Sequence, residues 1–173
     1  MSQFVRTRDC VILFRGDGYT VTPSPAMLAK GWIGGQWVQW WDSPRDEFAV
    51  TFSDGRYGGF LLWGSNEVSD QITGMTDSQI TYAHALFCAG GWMVSVKAYE
   101  KYTWTSRQGP GPLVPIQYTV GERLLISLNG YLTNEDEWTL SGDPRAPNGL
   151  YIAYVIQEPS DINEHMLMVQ TSV

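Results

Sequence analysis

Histidine is almost missing from this chain: His84 and His165 are the only two in 173 residues. A nucleophilic serine or cysteine needs a partner base, and a zinc site needs three or four nitrogen or sulfur ligands, so both chemistries lack their usual parts. Cysteine is as scarce. Cys10 and Cys88 lie in apolar, strand-like surroundings without metal-type spacing, which predicts buried thiols rather than a disulfide. No Gly-x-Ser-x-Gly elbow and no Gly-x-Gly-x-x-Gly loop occurs, and Gly109-Pro110-Gly111-Pro112 cannot offer successive backbone amides to a phosphate. The acidic runs Glu135-Asp136-Glu137 and Asp161 to Glu164 lack the ligand spacing of a calcium loop and read as solvated surface. No catalytic centre, cofactor or metal is expected, and the chain reads as a non-enzyme.

Long hydrophobic runs are missing too. Val11-Ile12-Leu13-Phe14 is far too short for a signal core or a membrane span, and Met1 to Asp9 is not apolar, so no membrane association is expected. Charged residues make up 17% of the chain, below the usual ~25%. The net charge of −7 is uneven: residues 1–133 hold eleven acids and ten bases, while 134–173 hold seven acids and Arg145 alone. With no basic stripe to follow phosphates, nucleic acid is excluded as an expected partner. Arg6, Arg8 and Arg15 give the first residues a weak positive bias, which reads equally as solvated charge or as a match for the acidic end of a neighbouring copy.

What the chain has in quantity is glycine, tryptophan and short β-forming runs. At 173 residues it can bury roughly 70% of its unfolded surface without staples. Eighteen glycines and nine prolines punctuate strand candidates at 10–15, 19–22, 36–41, 47–53, 57–63 and 92–104. Residues 10–15 and 19–22 flank Gly16-Asp17-Gly18 and predict a hairpin. Ala26 to Lys30 predicts one helical turn ended by Gly31. Gly58-Gly59 predicts a bulge or a close approach by another backbone. Residues 78–88 alternate like a strand, with a short capped helix as the other choice. The strongest hairpin signal is Asn129-Gly130 between Arg123–Leu128 and Tyr131–Thr133, which predicts a type I′ turn with positive φ at both residues.

The fold class is therefore mainly β: an antiparallel β-sandwich or barrel with long loops. Arg107 to Pro112 is the best linker, dividing a β-rich region (1–112) from a small barrel-like module (113–173), unless the two form one continuous domain. Eight tryptophans suit a core, but Trp40-Trp41 cannot both face it because adjacent strand residues point to opposite sides.

Within 113–173, Tyr118 to Asn134 contains Val120-Gly121-Glu122-Arg123-Leu124 and Asn129-Gly130-Tyr131-Leu132-Thr133. It is followed by Gly149-Leu150-Tyr151-Ile152-Ala153-Tyr154-Val155-Ile156-Gln157-Glu158-Pro159-Ser160-Asp161 and Met166-Leu167-Met168-Val169. These stretches, spread over a span of about 55 residues, resemble a β-barrel module of tailed-bacteriophage virion proteins found in head-decoration and other capsid-associated subunits. Ala153 stands where that pattern usually has glycine, and Ser160 where it often has a second proline. The resemblance implies a virion structural protein made in a bacterial cytoplasm, its partners the major capsid protein or other virion subunits, itself a homo-oligomer such as a trimer. A head-decoration place is expected ahead of neck, tail or fibre. Expected contact residues are Trp32, Trp40, Trp41, Trp63, Arg6 and Arg8, with the loop from Gly64 to Asp77. A carbohydrate-binding β-sandwich is the other class, with Trp32, Trp40, Trp41 and Trp63 as a stacking platform. A glycosidase has carboxylates enough to draw on but no pattern to mark a pair.

Overall fold

Short apolar runs cut by turn residues produce fourteen strands in the computed structural model, which describes residues 3–6, 9–14, 19–40, 49–52, 58–61, 64–65, 83–87, 92–104, 112–127, 129–135 and 151–172. In chain order these are β1 (Gln3–Arg6), β2 (Cys10–Phe14), β3 (Tyr19–Pro23), β4 (Trp37–Trp40), β5 (Ala49–Phe52), β6 (Gly58–Leu61) and β7 (Ala83–Phe87). They continue with β8 (Met93–Val96), β9 (Tyr102–Trp104), β10 (Leu113–Pro115), β11 (Arg123–Ile126), β12 (Leu132–Thr133), β13 (Ala153–Gln157) and β14 (Leu167–Thr171). One helix, α1 (Pro25–Lys30), forms where one turn was expected. The Ser24 hydroxyl accepts from the Met27 N–H, Pro25 opens the first turn, and Gly31 at φ 70° ends it. The mainly β class is as expected.

Two sheets divide the chain. The larger runs β1-β2-β8-β14-β13-β11-β12, antiparallel throughout. The smaller is a closed barrel, β3-β5-β4-β6-β7, with one parallel pairing between β3 and β5. Strands β9 and β10 form a separate ribbon. The closed barrel thus lies within residues 19–87, not in 113–173 where the small barrel was expected. Strand β14 pairs with β8 as well as β13, so the hydrogen bonding does not divide at residue 112. The 113–173 strands do curl: the Leu132 N–H donates to the Ala98 carbonyl (3.0 Å) and the Glu100 N–H to the Leu132 carbonyl (2.8 Å), bringing β12 back to the chain leaving β8.

The expected hairpin from 10–15 to 19–22 does not form. Strand β2 pairs with β1 and β8, β3 with β5 and β7, and the chain crosses between sheets there. The reason is apolar matching: Cys10 and Ile12 fill the core of the large sheet, while Val21 belongs inside the barrel. The expected strand at 92–104 is also cut. Trp92, Val94, Val96 and Ala98 bury one face as read, but the Lys97 N–H turns to the Asp9 carbonyl, and Tyr99 and Glu100 are both buried.

Strands β4 and β6 separate two cores, and their alternation explains the arrangement. Trp37 and Phe60, paired in register, point to the large sheet, with rings edge to face at 5.0 Å. Their neighbours Val38 and Leu61 join Val21, Met27 and Trp32 on the other side. Gly59 and Gly58 pair with Val38 and Gln39. A Cβ on Gly58 would collide with the Val38 carbonyl oxygen and lie 2.8 Å from Trp37 Nε1, so the close approach read from Gly58-Gly59 is present. The Cys10 thiol is fully buried and faces the Leu61 carbonyl at 3.9 Å.

Candidate functional site: a run of clefts and an exposed sheet face

The hairpin after β11 sits at the junction of the two sheets. Its tip is not the expected type I′ turn. Ser127 and Tyr131 are joined by the Ser127 N–H donating to the Tyr131 carbonyl, the Gly130 N–H donates to the Ser127 carbonyl, and Gly130 has positive φ (76°). That is the three-residue loop closed by a left-handed glycine. The difference follows from docking: the Gly130 carbonyl accepts the Trp37 N–H at 2.7 Å, so the tip is held against the start of β4.

Asn129 is the connector at this junction. Its carbonyl accepts from Gln36 Nε2 (2.8 Å), its Oδ1 from Lys30 Nζ (3.2 Å), and its Nδ2 donates to Glu100 Oε1 (3.1 Å). Glu100 is only 6% exposed, and the same oxygen accepts the Ser127 hydroxyl at 2.6 Å. A buried carboxylate needs such donors, because stranding it would cost several kcal/mol. The Tyr118 hydroxyl closes the network by donating to the Glu100 carbonyl.

Burial, reinforced by the Glu100 carboxylate, pushes the Tyr118 hydroxyl far above the usual tyrosine range. Tyr131 moves the same way, through burial and then the Glu100 and Asp9 carboxylates, and Tyr99 through burial alone. In the unfolded chain these phenols ionise near pH 10, so the stability they confer is complete below that pH and is lost as pH rises above it. Urea midpoints should be flat from pH 7 to 9 and fall steeply above 10. Tyr118→Phe should cost about 0.5–1.5 kcal/mol at neutral pH by removing a hydrogen bond, yet show the shallower alkaline decline.

Around this network runs a series of clefts. The first, about 420 Å³, is walled by Trp32, Ile33 and Tyr131, with Lys30, Gln36 and Asn129 supplying polar groups. The second, about 530 Å³, shares Ile33 and Tyr131 and adds Tyr99, Tyr102 and Leu113, with Asp9, Lys97, Glu100 and Lys101. A third, about 270 Å³, shares Tyr99, Lys101 and Tyr102 and ends at Glu158 and Pro159. The shared walls make them neighbours.

The second feature is the outer face of the large sheet. Register places Arg123, Tyr154, Gln170 and Met93 in one cross-strand row, and Gln157, Met168, Ser95 and Val11 in the next. Tyr154, Met93 and Ile156 are 38%, 37% and 37% exposed, and Ile156 lies at the bulge where β13 shifts register on β14. Arg123 stands over the Tyr151 ring at 5.5 Å, a cation–π contact. No acidic residue occurs in either row.

Of the residues singled out from the sequence, Trp40 is 41% exposed at the end of β4, where it pairs with Val50. Trp32 is 6% exposed; most of its area is given to the barrel core, with an edge on the first cleft. Arg6 ends β1, paired with Val11. Trp41, Trp63 and Arg8 lie outside the described residues, as does the Gly64 to Asp77 loop beyond Ser65. The structure does not gather the described members of this set into one site. The tyrosines of the clefts and the β13 face went unread. Ala153 to Gln157 is apolar on both faces, which reads as a strand buried twice over. Among the described residues no three His, Cys, Asp or Glu side chains are grouped to hold a metal ion, and no helix is long and apolar enough to cross a membrane. No family model, curated protein or solved structure matches the chain, so the chemistry of these two surfaces is what a functional reading has to stand on.

Proposed function

We propose that this chain is a non-enzymatic structural subunit of a tailed-bacteriophage virion, made in the bacterial cytoplasm and seated on the head as a decoration protein at junctions between capsid subunits. A neck, tail or fibre place is the variant of the same reading. The observation that carries it is the exposed sheet face of β8, β14, β13 and β11, built largely from the stretches that resemble virion modules. Scattered exposed apolar residues are ordinary, but cross-strand rows of them on one face suit a contact surface. Tyrosine, methionine and arginine are the types enriched in such contacts.

Charge supports the same face. Copies at −7 repel one another and any acidic shell, and these rows are where acid is missing and Arg123 present. The occupant is a neighbouring capsid subunit, and apolar area buried at each junction makes the shell harder to open. The test is co-sedimentation with purified capsids stripped of accessory proteins. Saturable uptake is expected, weakened at least tenfold by Tyr154→Asp with no change in unfolding midpoint. Failure to sediment with capsids, or uptake indifferent to Tyr154→Asp, overturns the reading.

A further inference from the structure

The chain contains three lysines, Lys30, Lys97 and Lys101, and all three line the run of clefts around Tyr131 and Tyr99. Among the described residues no arginine lines it. In a protein of net charge −7, that gathers every lysine ammonium into neighbouring clefts, beside the carboxylates of Asp9, Glu100 and Glu158. From this we infer that the clefts form a binding groove for an acidic glycan, a chain of sugars bearing carboxylate or sulfate groups.

Three properties favour that ligand. The walls are aromatic: Tyr102 is 51% exposed and lines two clefts, and half-buried Tyr131 lines two, with buried Tyr99 behind them giving only an edge. Such rings present flat apolar faces to the C–H face of a sugar while their hydroxyls stay in polar contact. The polar groups between them both donate and accept. Asn129 and Gln36 amides sit beside Lys30, and Asp9 and Glu100 beside Lys97 and Lys101. Sugar hydroxyls use both kinds, whereas an acidic peptide would meet Asp9, Glu100 and Glu158 with little to give them. The size is right as well: the two larger clefts, at about 420 and 530 Å³, each fall in the range of small-ligand sites, and their side-by-side placement suits successive units of a polymer. The ammonium groups fix the anionic substituents, and the Lys101 ammonium stands 5.8 Å from the Tyr99 ring, tying charge to platform.

An array carrying uronate, sialylated, sulfated and neutral glycans tests this, followed by calorimetry with the best-retained oligosaccharide at low and high salt. Acidic glycans should be retained over neutral ones, with affinity falling as salt rises. Lys101→Gln and Tyr102→Ala, both at exposed positions, should each weaken binding at least tenfold without moving the unfolding midpoint. Tyr154→Asp should leave glycan retention unchanged, which separates this groove from the capsid-facing sheet. Retention of no acidic glycan, or binding untouched by both groove variants, overturns the inference. Equal retention of poly-glutamate overturns it in favour of an acidic peptide.

Discussion

Trp37→Ala should lower the unfolding free energy by about 3–5 kcal/mol, the range for deleting a large buried aromatic, and so remove a large part of a stability that for most domains totals roughly 5–15 kcal/mol. Trp37 is fully buried and is the largest side chain in that state among the described residues. It leaves the barrel strand β4 and enters the core of the large sheet, where it meets Phe60 edge to face. Neighbours on both sheets would have to move together to fill the void, and two hydrogen-bonded frameworks resist that. Urea unfolding followed by circular dichroism should show the midpoint falling with the slope unchanged. A loss under about 1 kcal/mol would mean that the barrel and the sheet are not joined through this residue.

Gly130→Ala is the second large effect. The residue sits at φ 76°, where an L side chain is strained by about 1–2 kcal/mol. A Cβ there would also lie 2.5 Å from the Trp37 carbonyl oxygen, backbone that has no rotamer to move away. Relief requires the hairpin tip to lift, which breaks the Trp37 N–H bond to the Gly130 carbonyl and pulls Asn129 from Gln36. A total near 3 kcal/mol is expected. Gly121→Ala is the control, since Gly121 has φ 87° but nothing within 4 Å of its would-be Cβ. The difference between the two variants measures the docking of the tip, apart from backbone strain. Equal costs would show that the contact contributes nothing.

The sequence made some of this legible and hid the rest for a physical reason. Alternation says which residues share a face: it found β5 with a small error in length, and the buried face of β8 inside a run read as far too long. Turn chemistry found the helical turn at Ala26 to Lys30, ended by Gly31, though not its Ser24 cap, and it found the hairpin at Asn129-Gly130. Neither says which strand lies beside which. Strands β2 and β3 looked like partners because a glycine turn separates them, yet their apolar sides belong to different cores. The type I′ expectation failed for a related reason: hairpin propensity is local, while the turn that forms is chosen by its dock on Trp37. Tryptophan drew attention as the unusual residue, but bulk favours burial, and Trp32 and Trp37 went inside. The cleft walls fell to tyrosines, and their meeting from residues 99, 102 and 131 is a product of tertiary structure alone.

The position of β14 sets a schedule. It lies between β8 and β13, so the large sheet stays open along its middle until residues 167–171 have been synthesised and inserted. Strands β2 and β8, made long before, wait with apolar faces uncovered, a nascent state inviting misassociation and held back only by solvation or chaperones. Pairing across such sequence distance is also slow once the chain is complete. Completion is therefore late and concerted, and the outer face that β13 and β14 build appears in the same step. On the proposed reading, that face therefore meets a partner only after the chain's own core has closed.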